Sequence, residues 1–342
     1  MITIALDSMG ADFSPHNEIG GALEVLKKSK GRIRILLIGK KELLKKELET
    51  QTAGSYDKEH IEIIDAEEVI AMDEEPVQAL RQKRKSSIVV GLQAIKQKQA
   101  DAFVSIGNTG AVMSGGTLEL GRIFGVSRPM IGSQFPRGDG GFTLVFDVGA
   151  TVDAKPHWLK EYGIMGTIYA KDIFGIANPT VALLSVGEEE TKGNELVFEA
   201  AKLLKQTKLN FIGNVEGRDI LNGKADIILC DGYTGNVVLK FAESILPSLK
   251  TRIKKYSEQG FLQKIKAGIA ASVLRTTLKD FDYQEYGGVP LLGVNGVVII
   301  GHGSSTPRAI KTMLLRAEEM VKKDMCGTIG KALESEQEQA RN

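Results

Sequence analysis

Four glycine-rich polar loops set beside short apolar runs constrain this chain more than any other feature. They read Ser105-Ile-Gly-Asn-Thr-Gly110, Ser185-Val-Gly-Glu-Glu-Glu-Thr-Lys-Gly-Asn194, Asp231-Gly-Tyr-Thr-Gly-Asn236, and Gly293-Val-Asn-Gly296 continuing to Gly301-His-Gly-Ser-Ser305. The first three follow strand-like runs and precede helix-like ones. In an open α/β sheet such loops gather outside the carboxyl ends of strands, where ligands bind. Glycine lets backbone N–H groups approach closely, and a helix N-terminus adds positive potential, so the loops suit an anion such as phosphate.

Apolar runs alternate with helical periodicity along most of the chain. Strands are expected at residues 2–6, 33–38, 61–64, 102–105, 143–146, 181–185, 211–213, 227–230 and 297–300. Helices are expected at 15–29, 40–49, 86–97, 109–123, 156–174, 194–205, 233–256, 261–278 and 307–323. Continuous apolar strands separated by helices predict a mainly parallel sheet covered on both faces. The whole of 1–342 reads as a single α/β unit, with a polar tail at 334–342 that should fray. Gly138-Asp-Gly-Gly141 is either a break in the chain or a hairpin between adjacent strands.

Residues 242–282 depart from the alternation, carrying two consecutive helical patterns joined near Glu258-Gln-Gly260. Phe261, Leu262, Ile265 and Ile269 form an apolar stripe among Lys254, Lys255, Lys264 and Lys266. This is an αα-hairpin with a basic face. It packs on the body or a second subunit, or those four apolar residues contact a membrane surface as an interfacial element.

Composition excludes several classes of function. A net charge of +1 gives no global attraction to nucleic acid. Two cysteines, Cys230 and Cys326, form no metal spacing or disulfide framework and fit a reducing cytosol. The opening Met1–Leu6 reads as a strand, being too short and uncharged for a signal peptide. No run reaches the ~18 apolar residues of a membrane-crossing helix. The histidines lack a second ligand nearby, so no metal is expected, and the absence of a Walker A or dinucleotide fingerprint leaves no cofactor indicated. No nucleophile elbow or Cys/His signature is present either.

Within the loops, Ser105, Gly107, Asn108, Thr109 and Gly110 form a candidate anion seat at a helix start, or a close-packed helix of small residues. Lys192 stands in what should be the first turn of a helix, where a cation opposes the dipole, so it is set there for a bound anion. Asp231, Thr234, Gly235 and Asn236 place a carboxylate, a hydroxyl and an amide within one turn. Asn236 is available to a substrate oxygen, while Asp231 serves as a helix cap or a ligand. Asn295 and His302 belong to the last loop pair, with His302 either a ligand contact or incidental. Cys230 reads as a small buried hydrophobe. Arg81-Gln-Lys-Arg-Lys85 is a solvated face or a steering patch for an acidic partner.

These loops together resemble the bacterial acyl-ACP:phosphate acyltransferase (PlsX) family of phospholipid synthesis. The resemblance rests on Ile4-Ala-Leu-Asp-Ser-Met-Gly-Ala-Asp12, Ser105–Ala111, Val186–Gly193, Cys230–Lys240 and Tyr286-Gly-Gly-Val-Pro-Leu-Leu-Gly-Val-Asn-Gly296 through Ser305, in the family's order. Two segments depart from the family pattern. Ser8-Met-Gly-Ala-Asp12 replaces Ala-Met-Gly-Gly-Asp, and Gly149-Ala-Thr-Val-Asp153 replaces Gly-Ala-Asn-Val-Asp, which leaves the roles of Ser8, Ala11 and Thr151 open. The resemblance implies a three-layer α/β/α fold like that of isopropylmalate dehydrogenase, and a homodimer. It implies conversion of acyl-ACP and inorganic phosphate to acyl phosphate and free ACP, with Lys192 and Asn236 as the catalytic pair. It further implies a cytoplasmic protein attached peripherally to the inner face of the cell membrane, where a downstream membrane acyltransferase takes the product. A CoA-dependent phosphotransacetylase and a non-enzymatic phosphate- or nucleotide-sensing module are the rival readings.

Overall fold

The computed structural model describes residues 1–278 and 287–341. Tyr286 and the far end of the expected 242–282 hairpin lie outside them. Eleven strands form one sheet: β1 (Ile2–Asp7), β2 (Ile33–Gly39), β3 (Ile61–Asp65), β4 (Ala102–Ser105), β5 (Met130–Pro136), β6 (Phe142–Phe146), β7 (Thr180–Leu184), β8 (Asn210–Val215), β9 (Ile227–Leu229), β10 (Val289–Leu292) and β11 (Val297–Ile300). Their order is β3-β2-β1-β4-β11-β10-β5-β6-β9-β7-β8.

Side chains alternate across the sheet with period two, as a sheet buried on both faces requires. Ile4, Leu6, Ala102, Val104, Ile227 and Leu229 face one core; Ala5, Phe103, Ile228 and Cys230 face the other. The first core is closed by α1 (His16–Ser29), α2 (Lys41–Thr52), α6 (Pro156–Phe174), α7 (Glu195–Leu204), α11 (Pro307–Lys322) and α12 (Met325–Arg341). The second is closed by α3 (Pro76–Gln82), α4 (Ser87–Lys96), α5 (Thr109–Gly115), α8 (Asp219–Asn222) and the start of α9 (Gly232–Ser257). The three-layer α/β/α arrangement matches the sequence expectation. The polar stretch from Glu334, expected to fray, continues α12 as helix to Arg341.

The polarity of the sheet was not foreseen. β3, β2, β1, β4 and β11 are mutually parallel, and so are β6, β9, β7 and β8. Between the two blocks, β11–β10, β10–β5 and β5–β6 all pair antiparallel. Three reversals leave the blocks running in opposite directions, so their carboxyl ends open on opposite edges of the sheet. Gly138–Gly141 is the turn of the β5–β6 hairpin, where the Arg137 N–H donates to the Gly141 carbonyl at 2.8 Å. It is not a domain break.

After β9, α9 runs on past the body to Ser257, and α10 (Phe261–Thr277) turns back against it. Among the described residues, no helix is long and apolar enough to cross a membrane.

Candidate active site

The glycine loops fall into two groups, one at each edge. At the carboxyl ends of β1, β4 and β11, residues 7–12, 105–110 and 301–305 pack together. The Gly301 N–H donates to the Ser105 carbonyl at 2.8 Å, and the Asp12 N–H to the Gly303 carbonyl at 3.2 Å. Ser105 Oγ donates to Asp7 Oδ2 at 2.6 Å and itself accepts the Gly107 N–H at 3.1 Å. Asn108 is similarly committed. Its Oδ1 caps α5 through the Ala111 N–H at 3.0 Å, and its Nδ2 donates to the carbonyls of Ala71, Met72 and Glu74. The predicted anion donors Ser105 and Asn108 are thus buried and engaged in holding the loop, while Thr109 and Gly110 are half-buried at the start of α5. α5 is also shorter than its pattern suggested, ending at Gly115 and passing into a π-helical turn over Gly116–Leu120.

Asn295 does not join this group. It precedes β11, whereas His302 follows it, so the strand separates them and Asn295 sits at the opposite edge. There its Nδ2 donates to the Leu120 and Arg122 carbonyls at 3.3 and 2.8 Å. The glycine pattern ran through β11 and concealed the separation. His302 is exposed, with Nδ1 2.8 Å from Ser304 Oγ.

The second group lies at the carboxyl ends of β6, β7 and β9. Its scaffold is Asp147, which the sequence reading missed. The carboxylate accepts backbone N–H groups from Ile131 (3.2 Å), Gly149 (3.2 Å), Ala150 (3.0 Å) and Thr151 (2.7 Å), folding residues 147–151 into a tight socket. Burial pushes Asp147 up to about 6, against these hydrogen bonds, which pull the other way. The Thr151 carbonyl accepts the Gly232 N–H at 2.8 Å, and Thr151 Oγ1 accepts from Tyr162 Oη at 3.3 Å. The main chain at Thr151 thus docks the first turn of α9. Gly235 must be glycine for the same reason, because a Cβ there would lie 1.9 Å from the Asp147 carbonyl oxygen.

Asp231 caps α9, accepting the Thr234 N–H and the Thr234 hydroxyl, both at 2.8 Å. Both groups are engaged in local structure, Asp231 forming the helix cap. Asn236 differs. It is exposed, its side chain lies over Gly149, and it makes no hydrogen bond within the described structure. A free amide is thus presented directly above the Asp147 socket.

Lys192 lies across the mouth of this group on the 185–194 loop. It is not in a helical first turn, because Asn194 caps α7 through the Val197 N–H at 3.0 Å and the helix starts at Glu195. The Lys192 carbonyl accepts from Ser185 Oγ at 3.3 Å and from Asn214 Nδ2 at 3.2 Å. Asn214, on β8, also donates to the Glu189 carbonyl at 3.1 Å, and no sequence signal marked it. Glu188 and Glu190 pair outward with Lys224 and Lys205. Among the described residues, none stands within ion-pair range of Lys192 Nζ. The loop fixes its backbone while leaving its charge free.

Between the two segments is a hollow of about 210 Å³, bounded by Gly193 and Asn194 on one side and by Asp231 and Thr234 on the other. Cys230 is buried beside it with Sγ donating to the Asp147 carbonyl at 3.4 Å. Burial, helped by the charges of Asp147 and Asp231, raises its thiol well above the usual value, so a thiolate is disfavoured. A further cation missed in the sequence, Arg128, stacks 5.4 Å over the Trp158 ring at the start of α6. By contrast, most of the basic run at 81–85 is internally neutralised: Lys83, Arg84 and Lys85 pair with Glu74, Glu119 and Glu67. The four stripe residues of α10 are exposed, Phe261 at 78%, Leu262 at 67%, Ile265 at 48% and Ile269 at 65%.

The second loop group gathers at strand ends of a three-layer α/β protein, and the fold is shared with phosphotransacetylases. One from Streptococcus pyogenes superposes with a TM-score of 0.57 at 18% identity, covering 97% of this chain and 94% of that one. Another from Staphylococcus aureus gives 0.60 at 16% identity, covering 94% of each. The chain belongs to the fatty acid synthesis protein family, which it matches over residues 2–328. Two curated relatives are both named phosphate acyltransferase. That of Heliobacterium modesticaldum is 48% identical, covering 95% of this chain and 96% of its own. That of Halothermothrix orenii is 45% identical, covering 95% and 97%.

Proposed function

We infer that this chain transfers a long acyl group from acyl-ACP to inorganic phosphate, releasing acyl phosphate and free ACP. The observation that carries the reading is that Lys192, on the loop after β7, and Asn236, on the first turns of α9 after β9, both stand at the carboxyl ends of paired parallel strands with no side-chain partner among the described residues, in a chain whose relatives are named phosphate acyltransferase. Phosphate near neutral pH is substantially a dianion, so it attacks the thioester carbonyl without a strong base. Lys192 and Asn236 stabilise the oxygen on which negative charge develops. The C–S bond then breaks, and the thiolate, with an ordinary pKa of about 8.5, takes the proton given up by phosphate. Positioning supplies most of the acceleration, which accounts for a site with no nucleophile–base pair. The buried, protonated Cys230 thiol fits direct attack with no acyl-enzyme.

The same reading places the protein at a membrane surface as a homodimer. The exposed stripe of α10 beside Lys254, Lys255, Lys264 and Lys266 supports interfacial contact with anionic lipid. Delivery at the inner face of the bilayer shortens the path of a reactive acyl anhydride to a downstream membrane acyltransferase.

The deciding assay is phosphate-dependent release of ACP thiol from palmitoyl-ACP. Release supports the reading. A preference for acetyl-CoA favours the rival suggested by the shared phosphotransacetylase fold, and phosphate binding without thiol release favours a sensing module.

A further inference from the structure

We propose that Asn214 is a positioning residue for the reaction: its single amide group clamps the turn that carries Lys192, and the contribution of the lysine to turnover depends on that clamp. The proposal rests on the phosphate-acyltransfer reading and on the place of Lys192 in it.

One side chain holds the turn at both ends. The Lys192 N–H donates to the Glu189 carbonyl at 2.9 Å. Asn214 Nδ2 donates to that same carbonyl at 3.1 Å and to the Lys192 carbonyl at 3.2 Å. Ser185 Oγ adds a second donor to the Lys192 carbonyl at 3.3 Å. The stem of the lysine is placed as well. Gly187 is buried, and a Cβ on it would lie 2.9 Å from Lys192 Cγ and 2.8 Å from Glu189 Oε2. The glycine leaves the space that the stem occupies. With main chain and stem held, the charged end of Lys192 has a narrow range of positions to explore.

A strand irregularity aims Asn214 at this turn. β8 pairs with β7 as Val181 with Phe211 and then as Leu183 with Asn214, which is one residue more on β8 than on β7. Gly213, at a φ of +94°, lies in the irregular step. Phe211 packs against the first core and Val215 belongs to the second, although strict alternation puts residues four apart on one face. The shift turns Asn214 to the first-core face, where α7 and the loop leading into it lie. Bulges recur beside active sites because they re-aim a side chain in this way. Asn214 is buried, and a buried amide is costly unless its donors are used. Here both bonds go to the turn of Lys192.

The experiment follows phosphate-dependent release of ACP thiol from palmitoyl-ACP in single turnover with enzyme in excess. It compares the wild type, Asn214→Asp, Lys192→Ala and the double variant. Asn214→Asp keeps the shape but sets an oxygen against two carbonyls. Asn214→Ala removes the amide outright and takes its place if the aspartate variant does not fold. The expected result is a rate lower by about 10–10² in Asn214→Asp, with the half-saturating concentration of palmitoyl-ACP unchanged. In the Lys192→Ala background the same substitution should cost less than about twofold, because its effect passes through the missing lysine. An equal fall in both backgrounds overturns the proposal, as does a folded variant with the wild-type rate, and both leave phosphate acyltransfer standing. Failure of both Asn214 variants to fold also overturns it and gives the residue to the fold alone. A wild-type rate in Lys192→Ala, or no thiol release in the wild type, overturns the underlying reading and the clamp with it.

Discussion

Lys192 and Asn236 have no side-chain hydrogen bond or ion pair among the described residues, while Asp231, Thr234 and Asn194 beside them cap helices. Lys192→Ala is accordingly expected to lower kcat by about 10²–10³, the usual cost of removing one charged donor to a developing oxyanion, with an unchanged melting temperature. Near-normal turnover would remove Lys192 from the chemistry. A second expectation concerns Cys230, whose buried thiol is held protonated. Intact-mass analysis after incubation with palmitoyl-ACP should find no acyl adduct on it, and an adduct would overturn direct attack. The sequence singled out Lys192 as a cation set against a helix dipole, a premise the structure removes by starting α7 at Glu195, and Asn236 as an amide available to a substrate oxygen. It did not reveal that Ser105 and Asn108 are engaged, because their partners Asp7 and Ala71–Glu74 are 98 and 34 to 37 residues away. Asp147 did carry a signal. An acid at the end of an apolar strand and before a glycine turn occurs there as it does at Asp7 and Asp231.

At the scale of elements, the glycine loops and long helices were readable, and the misses have local causes. β10 contains Pro290, which argues against a central strand. β5 reads Met-Ile-Gly-Ser-Gln-Phe-Pro, with no sustained apolar alternation. The hairpin of α9 and α10 was legible from its stripe of apolar and basic residues. If that stripe meets lipid, Phe261→Glu with Ile265→Glu should abolish sedimentation with anionic vesicles while activity on dispersed substrate persists. Each buried side chain of this kind contributes at most about 1.5–3 kcal/mol, so wild-type binding should be reversible and sensitive to salt. Loss of fold or of dimerisation in the double variant would instead show these residues to be packed against protein.

Across the whole molecule, three carboxyl groups are buried in the two scaffolds. Asp7 and Asp147 are pushed up to about 6, and Glu18 to about 7, in each case chiefly by loss of solvent. Glu18 accepts from Ser14 Oγ, but its Oε2 has no hydrogen-bond partner, and the nearby Asp7 charge adds to its shift. A carboxyl whose native value lies above its unfolded one holds its proton more tightly when folded. Its contribution to stability is therefore present in acid and lost as pH rises through about 6 to 7, on the order of 3 kcal/mol per group. The melting temperature should fall between about pH 5 and 7.5, and fall less in Glu18→Gln, by a few degrees. Equal slopes would show that Glu18 titrates in the folded protein as it does in the unfolded chain.

The sequence by itself determined the layered α/β class, the alternation of the strands and the glycine loops that follow them. Each of these is encoded in periodicity or in residue types a few positions apart. Only the tertiary structure decided that β10, β5 and β6 reverse the sheet, sending two loop groups to opposite edges and parting Asn295 from His302. Strand direction and pairing are properties of contacts between distant segments, and no local pattern records them. The same contacts bring α6, α7, β7 and β9 around the hollow, whose walls read in sequence only as ordinary core leucines.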